Sequence, residues 1–339
     1  MTWASGIGSW PGLDPREPLR VLRELLGTLD GSPDGSGGVH GLPYLPELPD
    51  RGPGGDLIGR SAALLVELPV DLQPVGWRLV DRPGRDLART GAFWREDLDE
   101  LAEAFDGYTG PLKVAVAGPW TLAASLWLPR GERAVVDEGA CRDLTASLAE
   151  GVRDLLARLQ RLVPTAQLVL QVDEPSLPTV LEGRLPTASG FGKLPSIDPQ
   201  VVTPALRDVI AAAGERHTIL HCCAANPPQP LLRRAEPDGL ALDTGMLTPR
   251  GWEGLAVAAE EGVRVYAGCL PTSPGAVRSA DIARGVADAW SRIGMPRKAL
   301  DEIAVTPSCG LAGLSPDLAV HRQRQAVQVA RELSQLAAD

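Results

Sequence analysis

The sequence predicts an α/β protein with the (β/α)8 TIM barrel fold, on the basis of three observations. Short apolar or β-branched runs alternate with amphipathic helical stretches along almost the whole chain. Eight such runs can be counted, each followed by helix, which suits a closed barrel better than an open sheet. Unusual polar residues follow the runs, and the carboxyl ends of barrel strands form one face. We therefore expect one barrel domain over residues 1–339, with a Pro/Gly-rich insertion around 31–56.

The alternation places the elements in chain order. The predicted strands are residues 4–9, 39–42, 113–117, 167–172, 217–221, 240–242, 263–266 and 303–306. The predicted helices are residues 19–26, 57–68, 97–105, 141–162, 204–213, 231–235, 252–261, 282–293 and 318–336. The helix over 141–162 is the clearest, because its apolar residues recur at spacings of three and four. Residues 69–81 look extended and predict an excursion from the barrel.

Composition argues against several classes of protein. Hydrophobic residues make up 44% and charged residues 22% of the chain, as in ordinary globular domains. A net charge of −10 and scattered Lys and Arg argue against nucleic acid as a partner. The chain lacks both a long apolar run and the pattern of a secretory signal, so we expect a cytoplasmic protein with no membrane partner. Five cysteines, an odd number, predict reduced thiols rather than a disulfide framework.

Two residues at the end of one predicted strand suggest a metal site. His221 and Cys223 are two positions apart, so in an extended chain both side chains point the same way. Imidazole nitrogen and thiolate sulfur are typical ligands of zinc. Taken alone, the pair also fits a hydrogen-bonded His beside a core Cys. Cys309, after the eighth strand, can supply a third ligand and leave one position open, and this favours the metal site.

The other cysteines and Asp243 are ambiguous to different degrees. Asp243 ends the strand after His221 and is either a fourth zinc ligand or the cap of a turn. Cys269 lies on the same predicted face without an obvious task. Cys222 points the opposite way from Cys223 and should pack between the barrel and its helices. Cys141 opens an outer helix and is expected to be structural.

Two adjacent carboxylates follow the strand over 167–172. One of Asp173 and Glu174 should face the barrel mouth, where it can hold an ammonium group, although a simple turn before Pro175 is the alternative. Ser9 ends the first strand and can bond a carboxylate. The polar residues predicted to meet at the mouth are Ser9, His40, Asp173, Glu174, His221, Cys223, Asp243, Cys269 and Cys309.

Several motifs resemble one known family. They are Ile7-Gly8-Ser9, Gly118-Pro119-Trp120-Thr121, Gln171-Val172-Asp173-Glu174-Pro175, His221-Cys222-Cys223 and Pro307-Ser308-Cys309-Gly310. They occur in the order found in the catalytic domain of cobalamin-independent methionine synthase, and the His-x-Cys followed by a distant Cys-Gly is the most specific part. The resemblance runs from the first predicted strand to the last. It implies a (β/α)8 barrel that binds one zinc ion (Zn2+) and methylates homocysteine to methionine.

The resemblance also implies roles for single residues. His221, Cys223 and Cys309 resemble the zinc ligands, and Asp243 stands near the position of a ligating Glu. Ile7 and Ser9 resemble the groups that hold the homocysteine carboxylate. Asp173 resembles the group that binds the amino end, and we include its neighbour Glu174 in the predicted substrate site. Zinc lowers the pKa of a coordinated thiol, so the substrate would react as a thiolate.

The chain departs from the family pattern in three places. The familiar enzyme has two barrels, whereas this chain resembles a short, single-barrel branch, so the methyl donor is either methyl folate or a methylated corrinoid protein. Cys269 follows Val265-Tyr266, where the family has a proton-donating His, and we predict it as a catalytic residue beside Asp173. The family's pterin-contacting Trp falls at Ser125, although Trp127 is close.

These observations lead to one hypothesis and two competitors. The hypothesis is a zinc-dependent methyltransferase that methylates the thiol of homocysteine or a similar small thiol. One competitor is a metal-free barrel enzyme of the porphyrin-decarboxylase type, and the other is a non-catalytic zinc- or thiol-binding partner of a corrinoid protein. Residues 42–54 form either a lid, from which Glu47 or Asp50 reaches the substrate amine, or a Pro-rich surface loop, which we favour.

Overall fold

Eight parallel strands form the barrel wall in the computed structural model, which describes residues 1–32 and 38–338. The ten strands over these ranges are β1 (Trp3–Ser5), β2 (His40–Leu42), β3 (Val70–Gln73), β4 (Gly76–Leu79), β5 (Pro111–Ala117), β6 (Gln167–Asp173), β7 (Thr218–Cys222), β8 (Gly239–Asp243), β9 (Arg264–Leu270) and β10 (Ala304–Pro307). The wall runs in the order β2-β1-β10-β9-β8-β7-β6-β5, and β3 pairs with β4 as a separate antiparallel hairpin. The fold is therefore the predicted (β/α)8 barrel.

The barrel closes between β2 and β5 by bonds just past the end of β2. Lys113 N donates to the carbonyl oxygen of Pro43, and Leu45 N donates to the carbonyl oxygen of Lys113, both at 2.9 Å. Because these bonds form an isolated bridge rather than a regular ladder, the barrel is nearly, not perfectly, closed. On this side of the barrel the wall is thus completed by the irregular chain that follows β2.

Helices surround the wall. They are α1 (Arg16–Leu25), α2 (Leu57–Ala62), α3 (Arg85–Ala104), α4 (Pro119–Ser125), α5 (Glu138–Leu162), α6 (Leu177–Leu181), α7 (Pro199–Ala211), α8 (Gln229–Arg234), α9 (Pro249–Glu260), α10 (Ser279–Arg292) and α11 (Pro316–Ala338). Short 3-10 helices occupy Pro49–Arg51, Ala134–Val136, Thr244–Met246 and Arg297–Glu302. The stripe predicted on α5, from Leu144 to Leu159, is buried. Over the described ranges, no helix combines the length and the apolar character that crossing a bilayer requires.

Alternation along the strands separates two cores. On β7, Leu220 and Cys222 are fully buried in the large cluster between the wall and the helices. Ile219 instead belongs to a small cluster inside the barrel, with Ala241 and Tyr266 from the next two strands. His221 shares the parity of Ile219 and therefore points inward. The expected packing position of Cys222 is confirmed.

Several predicted boundaries were wrong. β1 ends at Ser5 instead of residue 9, and α2 ends at Ala62 instead of residue 68, before Glu67 adopts a left-handed φ of 59°. Within the Pro/Gly-rich region predicted as an insertion around 31–56, the strand predicted over residues 39–42 is β2, and the chain just after it forms the closing bridge. Residues 33–37 of that region lie outside the described residues. The extended excursion over 69–81 is the β3–β4 hairpin.

His40 was predicted at the mouth, and this is wrong. It begins β2 and pairs in register with Trp3, the first residue of β1. Its ring stacks on the indole of Trp3 with centroids 4.7 Å apart. Since parallel strands all begin at the same end of a barrel, His40 lies at the amino-end face, opposite the carboxyl ends.

Candidate metal centre and substrate site

Three side chains converge at the carboxyl-end face. His221 lies near the end of β7, Cys223 directly follows that strand, and Cys309 follows β10. One donor atom from each lies within 4.8 Å of the other two. The Sγ atoms of Cys223 and Cys309 are 3.3 Å apart, a hydrogen-bonding distance far longer than the roughly 2.05 Å of a disulfide. The structure therefore brings together the three residues predicted as metal ligands.

The imidazole of His221 is held in one orientation. The ring is 2% exposed, and its Nδ1 lies 3.0 Å from the carbonyl oxygen of Ala241 on β8. A carbonyl only accepts, so Nδ1 carries the proton and the lone pair is left on Nε2. A backbone carbonyl behind the ring is the usual support of a metal-binding His. Two sulfurs and this nitrogen make a donor set that fits zinc.

The two thiols differ in acidity. The hydrogen bond shared with Cys223 lowers the pKa of the Cys309 thiol, and contact with His221 lowers it further despite burial. The same shared bond raises the pKa of Cys223. Burial opposes the charged form of His221, but its contacts with Cys309 and Asp173 outweigh burial, and the pKa of His221 is raised. The cluster thus favours a thiolate at Cys309, stabilised by its contacts with Cys223 and His221.

Asp243 acts as a cap in this structure. Its Oδ1 accepts from the backbone N–H of Gly245 at 2.9 Å and begins the short 3-10 helix Thr244–Met246. It does not belong to the group of donor atoms within 4.8 Å, although the charge of Cys309 contributes to raising its pKa, after burial. The turn-capping alternative is therefore what the backbone shows. Ligation of a metal by Asp243 stays a prediction.

The adjacent carboxylates Asp173 and Glu174 point in different directions. Asp173 ends β6 with the same parity as Gln171, and its Oδ1 accepts from Gln171 Nε2 at 2.7 Å. The side chain is 5% exposed, and burial raises its pKa against the opposing effect of His221. Asp173 is thus an inward carboxylate close enough to the metal-ligand candidates to interact with them electrostatically.

Glu174 supports a helix. Its carboxylate is fully buried and accepts from the backbone N–H groups of Trp120 (3.0 Å) and Thr121 (2.8 Å), and from Thr121 Oγ1 (2.7 Å). These groups open α4, where unpaired N–H groups favour an anion. Burial nevertheless raises the pKa of Glu174 to about 7. The geometry favours a structural role, and substrate binding by Glu174 stays an untested prediction.

The first strand end reaches the same region. The carbonyl oxygen of Ile7 accepts from Lys113 Nζ and Gln171 Nε2, each at 3.0 Å. The Ser9 carbonyl accepts from Leu311 N at 2.8 Å, and a Cβ on Gly310 would stand only 1.9 Å from Ser9 Oγ. Gly310 therefore lets the Ser9 hydroxyl lie directly beside the turn that carries Cys309. Contact of Ile7 and Ser9 with a substrate stays a prediction.

Glu47 is a buried acid that sequence reasoning named only as a possible lid contact. It forms an isolated bridge with Ser9, is 6% exposed, and lies beside Gly8. Burial raises its pKa to about 8, and the charge of Asp173 contributes to the rise. Asp50, the other candidate, accepts from Gly12 N at 2.7 Å and is exposed. The Pro-rich segment is thus largely buried, and it places one acid, Glu47, close enough to Asp173 for the two to interact electrostatically.

Cys269 sits at an irregularity in the wall. The pairing of β9 with β10 passes from Gly268↔Thr306 to Leu270↔Pro307, so Cys269 is the extra residue of a β-bulge. Bulges re-aim side chains and are common beside active sites. Burial raises the pKa of this thiol to about 12, and Asp243 contributes to the rise. Cys269 keeps its proton at neutral pH, and its predicted catalytic role stays a prediction.

The remaining cysteines lie away from the cluster. Cys141 is half-buried at the start of α5, where its Sγ donates to the carbonyl oxygen of Ala134 at 3.5 Å. Burial raises the pKa of Cys222 to about 12, as expected for a thiol packed in a core. A cavity of about 630 Å3 lies at the opposite, amino-end face, lined by residues such as Trp3 and Arg264. None of the three residues of the cluster lines this cavity.

Fold and donor set together define a barrel protein with a thiolate–imidazole cluster at its carboxyl-end face. The profile of the family described as cobalamin-independent synthase, catalytic domain, matches residues 112–332, which is more than half of the chain. The chain belongs to this family. The match includes all three residues of the cluster.

Other comparisons add less. A solved structure of a B12-independent methionine synthase from Shewanella sp., in complex with selenomethionine, shares 16% identity with a TM-score of 0.48. That likeness covers 71% of this chain and 66% of the Shewanella chain, so this chain matches less than two thirds of its length. A comparison with curated proteins finds no match.

Proposed function

We propose that the protein is a zinc-dependent methyltransferase that transfers a methyl group to the thiol of homocysteine or a similar small amino-acid thiol. The observation that carries the proposal is the convergence of His221, Cys223 and Cys309 within 4.8 Å at the carboxyl-end face. Membership of the cobalamin-independent synthase family supports it. A zinc ion held by these three residues supplies a Lewis acid that lowers the pKa of a bound thiol.

The chain's own groups suit the amino-acid end of such a substrate. Asp173 can supply a carboxylate, the natural partner of an α-ammonium group, and Glu47 is a second buried acid in the same electrostatic neighbourhood. The Ser9 hydroxyl, next to Gly310, is a donor for the substrate carboxylate. Holding both ends would orient the thiol towards the cluster, and such positioning lowers the barrier to transfer. An acidic pocket also disfavours a porphyrin carrying several carboxylates.

The methyl donor is proposed to be methyl folate or a methylated corrinoid protein. The neutral Cys269 thiol is available to protonate a leaving nitrogen, which methyl folate needs and a corrinoid does not. Assaying homocysteine methylation with methylcobalamin, methyl folate and S-methylmethionine side by side distinguishes these donors. We place the reaction in the cytoplasm because all five cysteines are free thiols, the state that a reducing compartment maintains.

Metal content tests the proposal directly. Protein purified without added metal should retain about one zinc per chain, and Cys223→Ser and Cys309→Ser should lose it. Cys222→Ser is the matched control, because its side chain lies in the outer core, and it should retain the zinc. Zinc near zero in the unaltered protein, even after reconstitution, would reject the metal site. Full zinc without methylation by any donor would instead favour a non-catalytic zinc protein.

A further inference from the structure

A buried lysine lies in the middle of the barrel, below the acids of the mouth. Lys113 belongs to β5 and is 1% exposed. Its Nζ donates to three oxygens: the carbonyls of Gly6 and Ile7, and Oε1 of Gln171. An ammonium group has three donors, so all of them are used by neutral acceptors. The ring of Tyr44, with its centroid 5.3 Å from Nζ, lies nearby.

The lysine determines which way the Gln171 amide faces. Lys113 Nζ donates to Oε1 of Gln171, so the amide oxygen of Gln171 faces Lys113. The amide nitrogen then faces the other way and donates to Ile7 O at 3.0 Å and to Asp173 Oδ1 at 2.7 Å. Gln171 is 1% exposed, so its amide cannot readily replace these hydrogen bonds with bonds to water. One oxygen of Asp173 is thereby fixed, and the other is left for a ligand.

The same lysine acts on the charge of the acids above it. A buried carboxylate prefers its neutral form unless cations or donors stabilise the anion. Burial raises the pKa of Asp173, and His221, the Gln171 hydrogen bond and Lys113 act in that order to lower it. Lys113 also opposes the rise in the pKa of Glu47. Removing Lys113 would therefore disturb the hydrogen bonds that orient Asp173 through Gln171.

We propose that Lys113 is a positioning residue, which acts through Gln171 to hold Asp173 ready for the ammonium group of the substrate. This inference rests on the proposed function, because it takes the substrate to be an amino-acid thiol. Lys113 touches no predicted metal ligand, so its role concerns the amino end and not the thiol.

The test compares two ligands on the zinc-loaded protein by isothermal titration calorimetry. Homocysteine carries the α-amino group, and 4-sulfanylbutanoic acid has the same thiol and carboxylate without it. The unaltered protein should prefer homocysteine. Gln171→Met and Lys113→Met should each reduce that preference by roughly 10- to 100-fold, the effect expected for a lost charged hydrogen bond. Affinity for the analogue and zinc content should stay within about threefold, and Lys298→Met, at an exposed lysine, should change nothing.

The outcomes separate the possible failures. An unchanged preference in Gln171→Met would overturn the positioning role, as would an equal loss of affinity for both ligands, which indicates a merely structural residue. If Lys113→Met does not fold, Gln171→Met carries the test alone, since it keeps the lysine and removes only the link to Asp173. If the unaltered protein binds neither ligand, the proposed function itself fails, and the inference fails with it.

Discussion

Glu47 shows how a single residue can gain unusual properties from its surroundings. It is 6% exposed, and none of the ion pairs among the described residues includes it. Burial raises its pKa to about 8, although Arg60 and Lys113 act in the opposite direction. An acid whose pKa lies near neutral pH can release its proton, and so become charged, when an ammonium ligand binds beside it.

The raised pKa of Glu47 predicts a pH dependence of stability. The folded chain holds the Glu47 proton up to about pH 8, whereas an unfolded chain releases it near its ordinary value of 4.5. Glu47 therefore contributes most stability below pH 4.5 and loses that contribution as the pH rises towards 8. Relative to Glu47→Gln, the free energy of unfolding of the unaltered protein should fall by up to about 1.4 kcal/mol per pH unit in this window.

Urea unfolding of both proteins between pH 5 and pH 8 measures this difference. Parallel curves with a constant offset would mean that Glu47 is ionised throughout and that burial does not control it. Burial lowers the pKa of Lys113 to about 7, so this lysine also titrates in the same range. Because it is present in both proteins, its titration does not change the sign of the difference between them.

Some site residues could be predicted from the sequence and others could not. His221, Cys223 and Cys309 are chemically distinctive side chains that end apolar runs, so strand periodicity was enough to group them. Lys113 and Gln171 are not distinctive, and the partners of Lys113 include the backbone carbonyls of Gly6 and Ile7, which have no side-chain signature. His40 failed for the opposite reason, because a short strand gives no sign of which end a residue occupies.

At the scale of elements, α4 depends on an acid from a neighbouring strand. Glu174 follows β6 and accepts from Trp120 N, Thr121 N and Thr121 Oγ1 at the start of α4. Gly118 precedes that helix, and a Cβ there would stand 2.3 Å from Glu174 Oε1. Gly118 and Thr121 of the Gly-Pro-Trp-Thr motif therefore have a local structural role in this cap.

Truncating Glu174 should consequently affect stability before it affects binding. Glu174→Ala leaves two buried N–H groups without an acceptor and should lower the free energy of unfolding by about 3 kcal/mol or more. Glu174→Gln keeps one acceptor oxygen and should cost less. Urea unfolding measures both, with calorimetric homocysteine binding as the second readout. Native stability combined with weak homocysteine binding in Glu174→Ala would instead support the predicted substrate role.

Helix α3 shows why some elements escaped prediction. It begins at Arg85, whereas periodicity placed its start at residue 97. Its first half buries Trp94, which packs against Arg60 with the guanidinium 4.0 Å from the ring centroid. Arg60 in turn pairs with the buried Asp97. Because Trp94 is held by a cation on its indole, and that cation by a buried ion pair, the first half of the helix lacks the repeated apolar spacing that a sequence pattern can detect.

At the scale of the whole molecule, the cluster joins distant parts of the barrel. His221 and Cys223 belong to the end of β7 and Cys309 to the end of β10, with β8 and β9 between them in the sheet. A metal ion bound by residues from both strand ends would link β7 to β10 across the barrel mouth. Because such a ligand binds the folded chain through residues 86 positions apart, it should stabilise folding by mass action.

Zinc addition should therefore raise the melting temperature of metal-stripped protein. At free zinc about 1,000 times the dissociation constant, binding adds about 4 kcal/mol. For a chain of this size that corresponds to a rise in Tm of roughly 6 °C. Cys222→Ser should show the same rise, because its side chain is part of the outer core, and Cys309→Ser should show little. A rise that survives Cys309→Ser would place the zinc elsewhere, and no rise in the unaltered protein would mean that β7 and β10 are not tied by metal.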